Sequence, residues 1–367
     1  PSIVLSLLFL FAGAEGGLRV LAHFTPYIGK VSEYEAGHYS LGKALVPGAV
    51  YSTRVASIHV NSRGFRGKEF DVPKPSGVYR IFALGGSTTF GYYPAITSDT
   101  HTYPAMLEFL LNETKPDPAV QRYEVINAGV PGYSVRTSIQ NLSARILFFQ
   151  PDMILVYHNV NDLARYGNEH NLLHPLQNHY IPTGFLTGLL DHMLGWSYAV
   201  QELRFTLTER IRFGSKTGPA QTPATQIGWA LDRRYPEAFR RDLRNLVILA
   251  KANGVTPVLM SEAVAITEKT DFANLSDDEK KMQLHKSSRY LEDIPPHKRY
   301  RMRRLYNDLI REVAEQEKVL FVDIDAAIPK TSEYHWDYCH LTNRGAALQA
   351  EVIQKALRPA SGPRGKP

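Results

Sequence analysis

The sequence predicts an α/β protein built on a parallel, doubly wound sheet. Three observations carry this reading. Apolar runs of strand length recur at Tyr79–Leu84, Tyr123–Asn127 and Met153–Tyr157. Each ends in a small or polar turn: Gly85-Gly-Ser87, Ala128–Ser134 and His158–Asp162. Between them lie segments whose apolar residues recur at helical spacing. Strand, helix and strand in alternation make βαβ units, whose strands run parallel.

The elements follow in order. Residues 23–78 show little helical periodicity and read as a lead-in. Its polar stretch His59–Phe70 is anchored by Phe65 and Phe70, and Pro73, Pro75 and Gly77 break the chain before the first strand. Tyr103–Leu111 has helical spacing, and Asn112–Gln121, with two prolines, is a loop. Val135–Gln150 reads as one amphipathic helix through Ile139, Leu142, Ile146, Leu147 and Phe149. The pattern breaks over residues 165–235, rich in histidine, glycine and proline, where one short helix is expected around Trp196–Arg212. Such a stretch reads as an insertion over the sheet edge, a lid or a substrate wall. Ala238–Ala252 is a helix that Gly254 ends, and Val255–Met260 is a fourth strand despite Pro257. A second insertion spans 265–297. The helix Tyr300–Glu317, the strand Val319–Asp323, the loop Thr331–Cys339 and the helix Asn343–Leu357 complete the pattern. Residues 359–367 are expected to be a disordered tail, and no internal repeat occurs.

Composition narrows the function classes. With 44% hydrophobic residues in 367, the chain can bury a large core and is not disordered. The net charge of +6 mixes both signs, which suits solubility and attraction to an anionic membrane surface. No nucleic-acid motif accompanies the charge, so nucleic acid is not an expected partner. The single cysteine, Cys339, excludes an intramolecular disulfide. The first residue is proline, and Pro1–Ala14 is almost wholly apolar. That run is shorter than the roughly 20 residues of a full span, and residues 1–22 are expected to be the end of a transmembrane anchor. The domain beyond it is expected on the extracytoplasmic side.

The candidate chemistry starts at Ser87. It stands on a glycine turn after a buried strand, at the carboxyl edge where open α/β sheets bind ligands. Near the C-terminus, Asp337-Tyr-Cys-His340 places an acid three residues before a histidine on a loop. The carboxylate can hold one ring nitrogen and leave the other as a base. Gly132 and Asn161 lie after the second and third strands, at the same edge. A backbone N–H at Gly132, the Asn161 amide and the Ser87 N–H could form a three-donor oxyanion hole.

Each of these residues has a blander reading alone. Ser87 would be a helix cap, Asn161 and Gly132 turn residues, and Asp337 with His340 a satisfied loop pair. Taken together they favour catalysis. Neither Gly-x-x-x-x-Gly-Lys-Ser/Thr nor Gly-x-Gly-x-x-Gly occurs, which disfavours nucleotide binding. His170 and His174 are four apart, but Asn171 and Pro175 argue for a loop, so no metal is expected. The basic run Lys298–Arg304 reads as a solvated helix face. Asp162 and Arg165 suggest either an ion pair that braces the loop or a substrate contact. Cys339 adjoins His340 but has no part in the mechanism.

At these residues the chain resembles the SGNH/GDSL hydrolase family. Gly85-Gly-Ser-Thr-Thr-Phe-Gly91 is similar to its nucleophile block and Asn127-Ala-Gly-Val-Pro-Gly132 to its glycine block. Val160-Asn-Asp162 is similar to the asparagine block and Asp337-Tyr-Cys-His340 to the acid–histidine block. Gly86 stands where many members have aspartate, and Val160 where they often have glycine before the asparagine. The resemblance spans residues 79–358. It implies a flavodoxin-like three-layer α/β/α fold with a five-stranded parallel sheet, and ester hydrolysis without a cofactor. The expected enzyme is a membrane-anchored serine esterase acting on a small ester, an acylated carbohydrate or a lipid. An O-acyltransferase acting on a sugar hydroxyl and a non-catalytic binding module are the alternatives.

Overall fold

The computed structural model describes residues 9–17, 35–38, 41–52, 57–92, 94–166, 234–282 and 296–358, with the single residues 6, 20 and 284. Two short antiparallel pairs lie in the stretch read as a lead-in. β1 (Glu35–His38) pairs with β2 (Gly42–Leu45), and β3 (Val50–Ser52) with β4 (Ser57–His59). Strands of three or four residues are too short to show a periodicity, which is why the sequence hides them.

The main sheet has five parallel strands: β5 (Val78–Gly85), β6 (Arg122–Asn127), β7 (Met153–Tyr157), β8 (Thr256–Met260) and β9 (Leu320–Val322). Their spatial order is β6–β5–β7–β8–β9. The order reverses beside β5, the first strand of the sheet, and open α/β sheets bind ligands at the carboxyl ends beside such a reversal. Each strand lies within a residue or two of its expected range.

The helices are α1 (Ser87–Phe90), α2 (Tyr103–Thr114), α3 (Val135–Ala144), α4 (Val160–Tyr166), α5 (Arg234–Ala252), α6 (Asp277–Lys281), α7 (Pro296–Gln316), α8 (Ile324–Ala327) and α9 (Asn343–Leu357). Side chains alternate along β5 and fill both faces. Phe82 and Leu84 pack with α3, α5 and α7 through Leu142, Leu246 and Ile310. Ile81 and Ala83 pack with α2 and α9 through Leu107 and Ile353. The result is a three-layer α/β/α sandwich. Burial on both faces explains why these strands read as continuous apolar runs.

Four readings change. The helix expected over Val135–Gln150 ends at Ala144, and a 3-10 turn follows over Ile146–Phe149. Arg145 leaves helical geometry at φ −136°, and Gln150 turns left-handed at φ 54° before Pro151, where helix is sterically disfavoured. The turn read at His158–Asp162 gives way to α4, which begins at Val160. The basic run Lys298–Arg304 is not simply a solvated face, because Arg303 is fully buried. Among the described residues no helix is long and apolar enough to cross a membrane, so the anchor expected over residues 1–22 finds no support there. The first insertion from residue 167 to 233, the helix expected at Trp196–Arg212, His170, His174 and residues 359–367 lie outside the described residues.

Candidate active site

The site begins where β5 stops. Gly85 ends the strand, Gly86 turns the chain, and α1 begins at Ser87. A Cβ on Gly86 would stand 2.3 Å from Asn161 Nδ2, so only glycine lets the asparagine loop approach this closely. Helix α1 lasts four residues because Gly91 takes the left-handed conformation at φ 85°. Its last carbonyls are held from outside. Asn127 Nδ2 donates to Thr89 O at 3.0 Å and Phe90 O at 3.2 Å. Arg66 Nη1 donates to Phe90 O at 2.8 Å, and Arg66 Nε donates to Asp99 at 2.8 Å. Asn127 opens the glycine block, so one side chain ties that block to the turn at Ser87.

His340 comes from the loop before α9. Asp337 Oδ1 accepts the backbone N–H of Cys339 at 2.9 Å and of His340 at 2.8 Å. This closes a tight turn that aims the histidine ring. Asp337 Oδ2 then takes His340 Nδ1–H at 2.7 Å, leaving Nε2 2.8 Å from Ser87 Oγ. The Tyr92 ring stacks on the imidazole, with centroids 5.3 Å apart. Burial is the largest single influence on His340 and pulls it down, but Asp337 and Cys339 together hold the imidazole well above its ordinary range. Burial alone would push Asp337 up, yet His340 and the two N–H groups hold it below the usual carboxylate value. Burial pushes the Cys339 thiol up to about 11, so it stays protonated at neutral pH.

Asn161 and the Tyr133 carbonyl both lie against Gly86. Asn161 Nδ2 donates one hydrogen to Tyr133 O at 3.0 Å, and an amide nitrogen carries two. The Tyr133 carbonyl is also a neighbour of Gly86, so the Tyr133–Ser134 peptide flanks the turn at Ser87. Gly132 itself has φ 80°, a left-handed value suited to glycine. Asp162 is fully buried. It accepts the Val135 N–H at 2.8 Å and stands 3.5 Å from His158, so it braces α3. The Arg165 side chain lies outside the described residues.

Two other features could be mistaken for sites. Ser57, His59 and Asp99 form a second serine–histidine–aspartate set, with His59 Nδ1 2.7 Å from Asp99. Ser57 Oγ, however, is 3.5 Å from Nδ1 and 3.4 Å from Nε2. Near-equal distances put the hydroxyl in line with neither nitrogen. A cavity of about 790 Å3 lies beside Arg66, Asp99, β6 and α2, and neither Ser87 nor His340 lines it. Among the described residues one group could hold a metal: Asp337, Cys339 and His340. A metal there would take Nδ1 away from Asp337, and ester hydrolysis by a serine needs none. Sequence reasoning missed Arg66, Tyr92, Glu262 and Arg303. No local pattern marks them, since each acts on a loop far away in the chain.

Residues 83–348 match the model of the GDSL-like lipase/acylhydrolase family. No curated protein matches the sequence. Similar solved structures include LAE5, an alpha/beta hydrolase enzyme from the metagenome of Lake Arreo, Spain. It is 17% identical, with a TM-score of 0.43, over 76% of this chain and 94% of that one. Axe2, an acetylxylan esterase from Geobacillus stearothermophilus, is 15% identical with a TM-score of 0.44, over 78% of this chain and 97% of that one. The acetyl xylan esterase AlAXEase is 14% identical with a TM-score of 0.42, over 76% and 99%.

Proposed function

We propose, starting from a chain that belongs to the GDSL-like lipase/acylhydrolase family and is thereby a carboxylic ester hydrolase, that it cleaves esters through an acyl-enzyme on Ser87. The observation that supports this most is the unbroken line from Asp337 through His340 to Ser87, with contacts of 2.7 Å and 2.8 Å. His340 Nε2 takes the hydroxyl proton as Ser87 Oγ bonds to the ester carbonyl carbon. Negative charge collects on the carbonyl oxygen, and the N–H groups of Ser87 and Gly132 and the Asn161 amide stabilise it. Each such donor is typically worth about 3 kcal/mol. The tetrahedral centre collapses, the C–O bond to the alcohol breaks, and His340 returns its proton to the departing oxygen. Water, deprotonated by the same nitrogen, then attacks the acyl carbon, the bond to Ser87 Oγ breaks, and His340 returns the proton to Oγ as the acid leaves.

The alcohol is a carbohydrate or lipid hydroxyl in this reading. The apolar run at residues 3–14 supports a membrane-associated, extracytoplasmic enzyme. Hydrolysis of p-nitrophenyl esters of increasing chain length, measured beside Ser87→Ala, tests the chemistry. Serine-dependent release supports the reading, and substantial turnover by Ser87→Ala overturns it. Adding a carbohydrate acceptor and analysing the products separates hydrolysis from acyl transfer. Fractionation of cells producing the full chain tests the location, and recovery without membranes would remove it.

A further inference from the structure

A fourth loop reaches the carboxyl edge of the sheet after β8 and carries a carboxylate with no part in the steps above. Glu262 and Arg303 form an ion pair, with Arg303 Nη2 donating to Glu262 Oε1 at 2.7 Å. Their side chains are 2% and 1% exposed. The same Oε1 accepts the backbone N–H of Val160 at 3.3 Å. Oε2 lies 3.5 Å from Thr88 Oγ1, a long contact. Val160 precedes Asn161, and Thr88 follows Ser87. One carboxylate therefore touches the immediate chain neighbours of the nucleophile and of the oxyanion amide.

The pair is itself locked. Asn307, one turn beyond Arg303 on α7, accepts the Glu262 N–H at 3.0 Å and donates to the Glu262 carbonyl at 3.0 Å. Asn307 Oδ1 also accepts from Asn159 Nδ2 at 2.8 Å, and Asn159 Nδ2 donates to the Arg303 carbonyl at 3.0 Å. The start of the asparagine block is thus pinned to α7 by one side chain and to Glu262 by one backbone bond. A purely structural ion pair is the simpler explanation. Stability alone explains a buried pair poorly, however, because desolvation cancels much of its attraction and apolar substitutes often do as well. What distinguishes this pair is where its hydrogen bonds go.

We propose that Glu262, held by Arg303, is a positioning residue for ester hydrolysis: its carboxylate fixes the Asn159–Val160 peptide, directly before Asn161, so that the Asn161 amide faces the oxyanion. This rests on the reading of Ser87 as nucleophile. Glu262 does not touch the substrate. It removes the freedom of a loop whose donor must be in place before charge develops.

The test is the full chain carrying Glu262→Gln, Asn161→Ala and the two together, assayed with one activated ester. Glu262→Gln lowers kcat about 10- to 100-fold, less than the roughly 100- to 1000-fold of a lost donor, and leaves KM within about twofold. Asn161→Ala then costs much less in the Glu262→Gln background than alone, since the amide is already misplaced. Glu262→Asp, which keeps the charge and shortens the reach, gives the same pattern and serves if the glutamine variant does not fold. Wild-type kcat in folded Glu262→Gln, or fully additive losses in the double variant, overturns the inference while Ser87 dependence stands. A merely structural role would lower the melting temperature without this coupling. Turnover surviving in Ser87→Ala removes both readings together.

Discussion

Gly86 and Asn161 meet where a side chain would not fit: a Cβ on Gly86 would stand 2.3 Å from the asparagine amide nitrogen and 3.2 Å from Tyr133 O. The contact joins the nucleophile turn to the donor loop. Gly86→Ala must displace the amide, the Tyr133 carbonyl that orients it, or both. The expected outcome is a fall in kcat of about 100-fold or more, comparable to losing an oxyanion donor, with the fold intact. Steady-state kinetics beside circular dichroism check this. Wild-type kcat in Gly86→Ala would show that the amide is not needed where it stands.

In the proposed mechanism His340 acts as base only when Nε2 is free of a proton. Asp337 and Cys339 together overcome burial and hold the imidazole above its ordinary 6.5. The acid limb of kcat/KM is therefore expected above pH 6.5, with activity rising as pH rises through it. Asp337→Asn removes the partner and leaves burial, so the limb moves to lower pH. The plateau falls about 1000- to 10,000-fold as the preferred tautomer is lost. A pH–rate profile of both proteins checks the direction, and an unmoved limb counts against the Asp337–His340 pairing.

His335 is buried in the same loop, and among the described residues neither ring nitrogen has a hydrogen-bond partner. Burial, aided by Lys330 and opposed by Asp337, lowers it to about 3. The unfolded chain binds this proton near pH 6.5 and the folded one does not. Stability is thus expected to fall as pH drops from about 6.5 towards 3, by up to about 1.4 kcal/mol per pH unit. Asp337 contributes no slope between pH 6.5 and 4, since its stabilisation is lost only below its unfolded value. His340, raised in the folded state, is fully stabilising below 6.5. Chemical denaturation of the wild type and His335→Leu at pH 6.5, 5.5 and 4.5 isolates the effect. Equal slopes in the two would mean that His335 is protonated in the fold.

Arg80 and Glu124 pair at 2.8 Å between neighbouring strands, and both are buried. Arg80 also donates to the carbonyls of Phe149 at 2.8 Å and Asp71 at 2.7 Å. Arg80→Met strands two carbonyls and leaves the buried Glu124 carboxylate with Arg122 alone, at 2.6 Å. A loss of about 3–5 kcal/mol of stability is expected. Urea unfolding checks it, and a loss under about 1 kcal/mol would place this pair with weak surface pairs.

The alternation of apolar runs and helical segments was enough to read the sheet, because its strands are buried on both faces and its layers repeat. The acid and histidine were legible together because a three-residue spacing closes a local turn on Asp337 Oδ1. Ser87, Gly132 and Asn161 were legible as motifs at strand ends. By contrast, the break at Arg145, the short hairpins, and the parts of Arg66, Tyr92, Glu262 and Arg303 left no trace in the pattern.

The sequence by itself thus determined the strand order along the chain, the turns that end the strands, and the residue types capable of acyl chemistry. All of these are local properties of spacing and backbone freedom. Only the tertiary structure decided that His340 stands 2.8 Å from a serine 253 residues away, and that Asn161 lies against Gly86. It alone decided that Glu262 touches the neighbours of both Ser87 and Asn161. Those distances depend on how five parallel strands are ordered and how closely their loops pack at one edge, and neither is encoded in any single stretch.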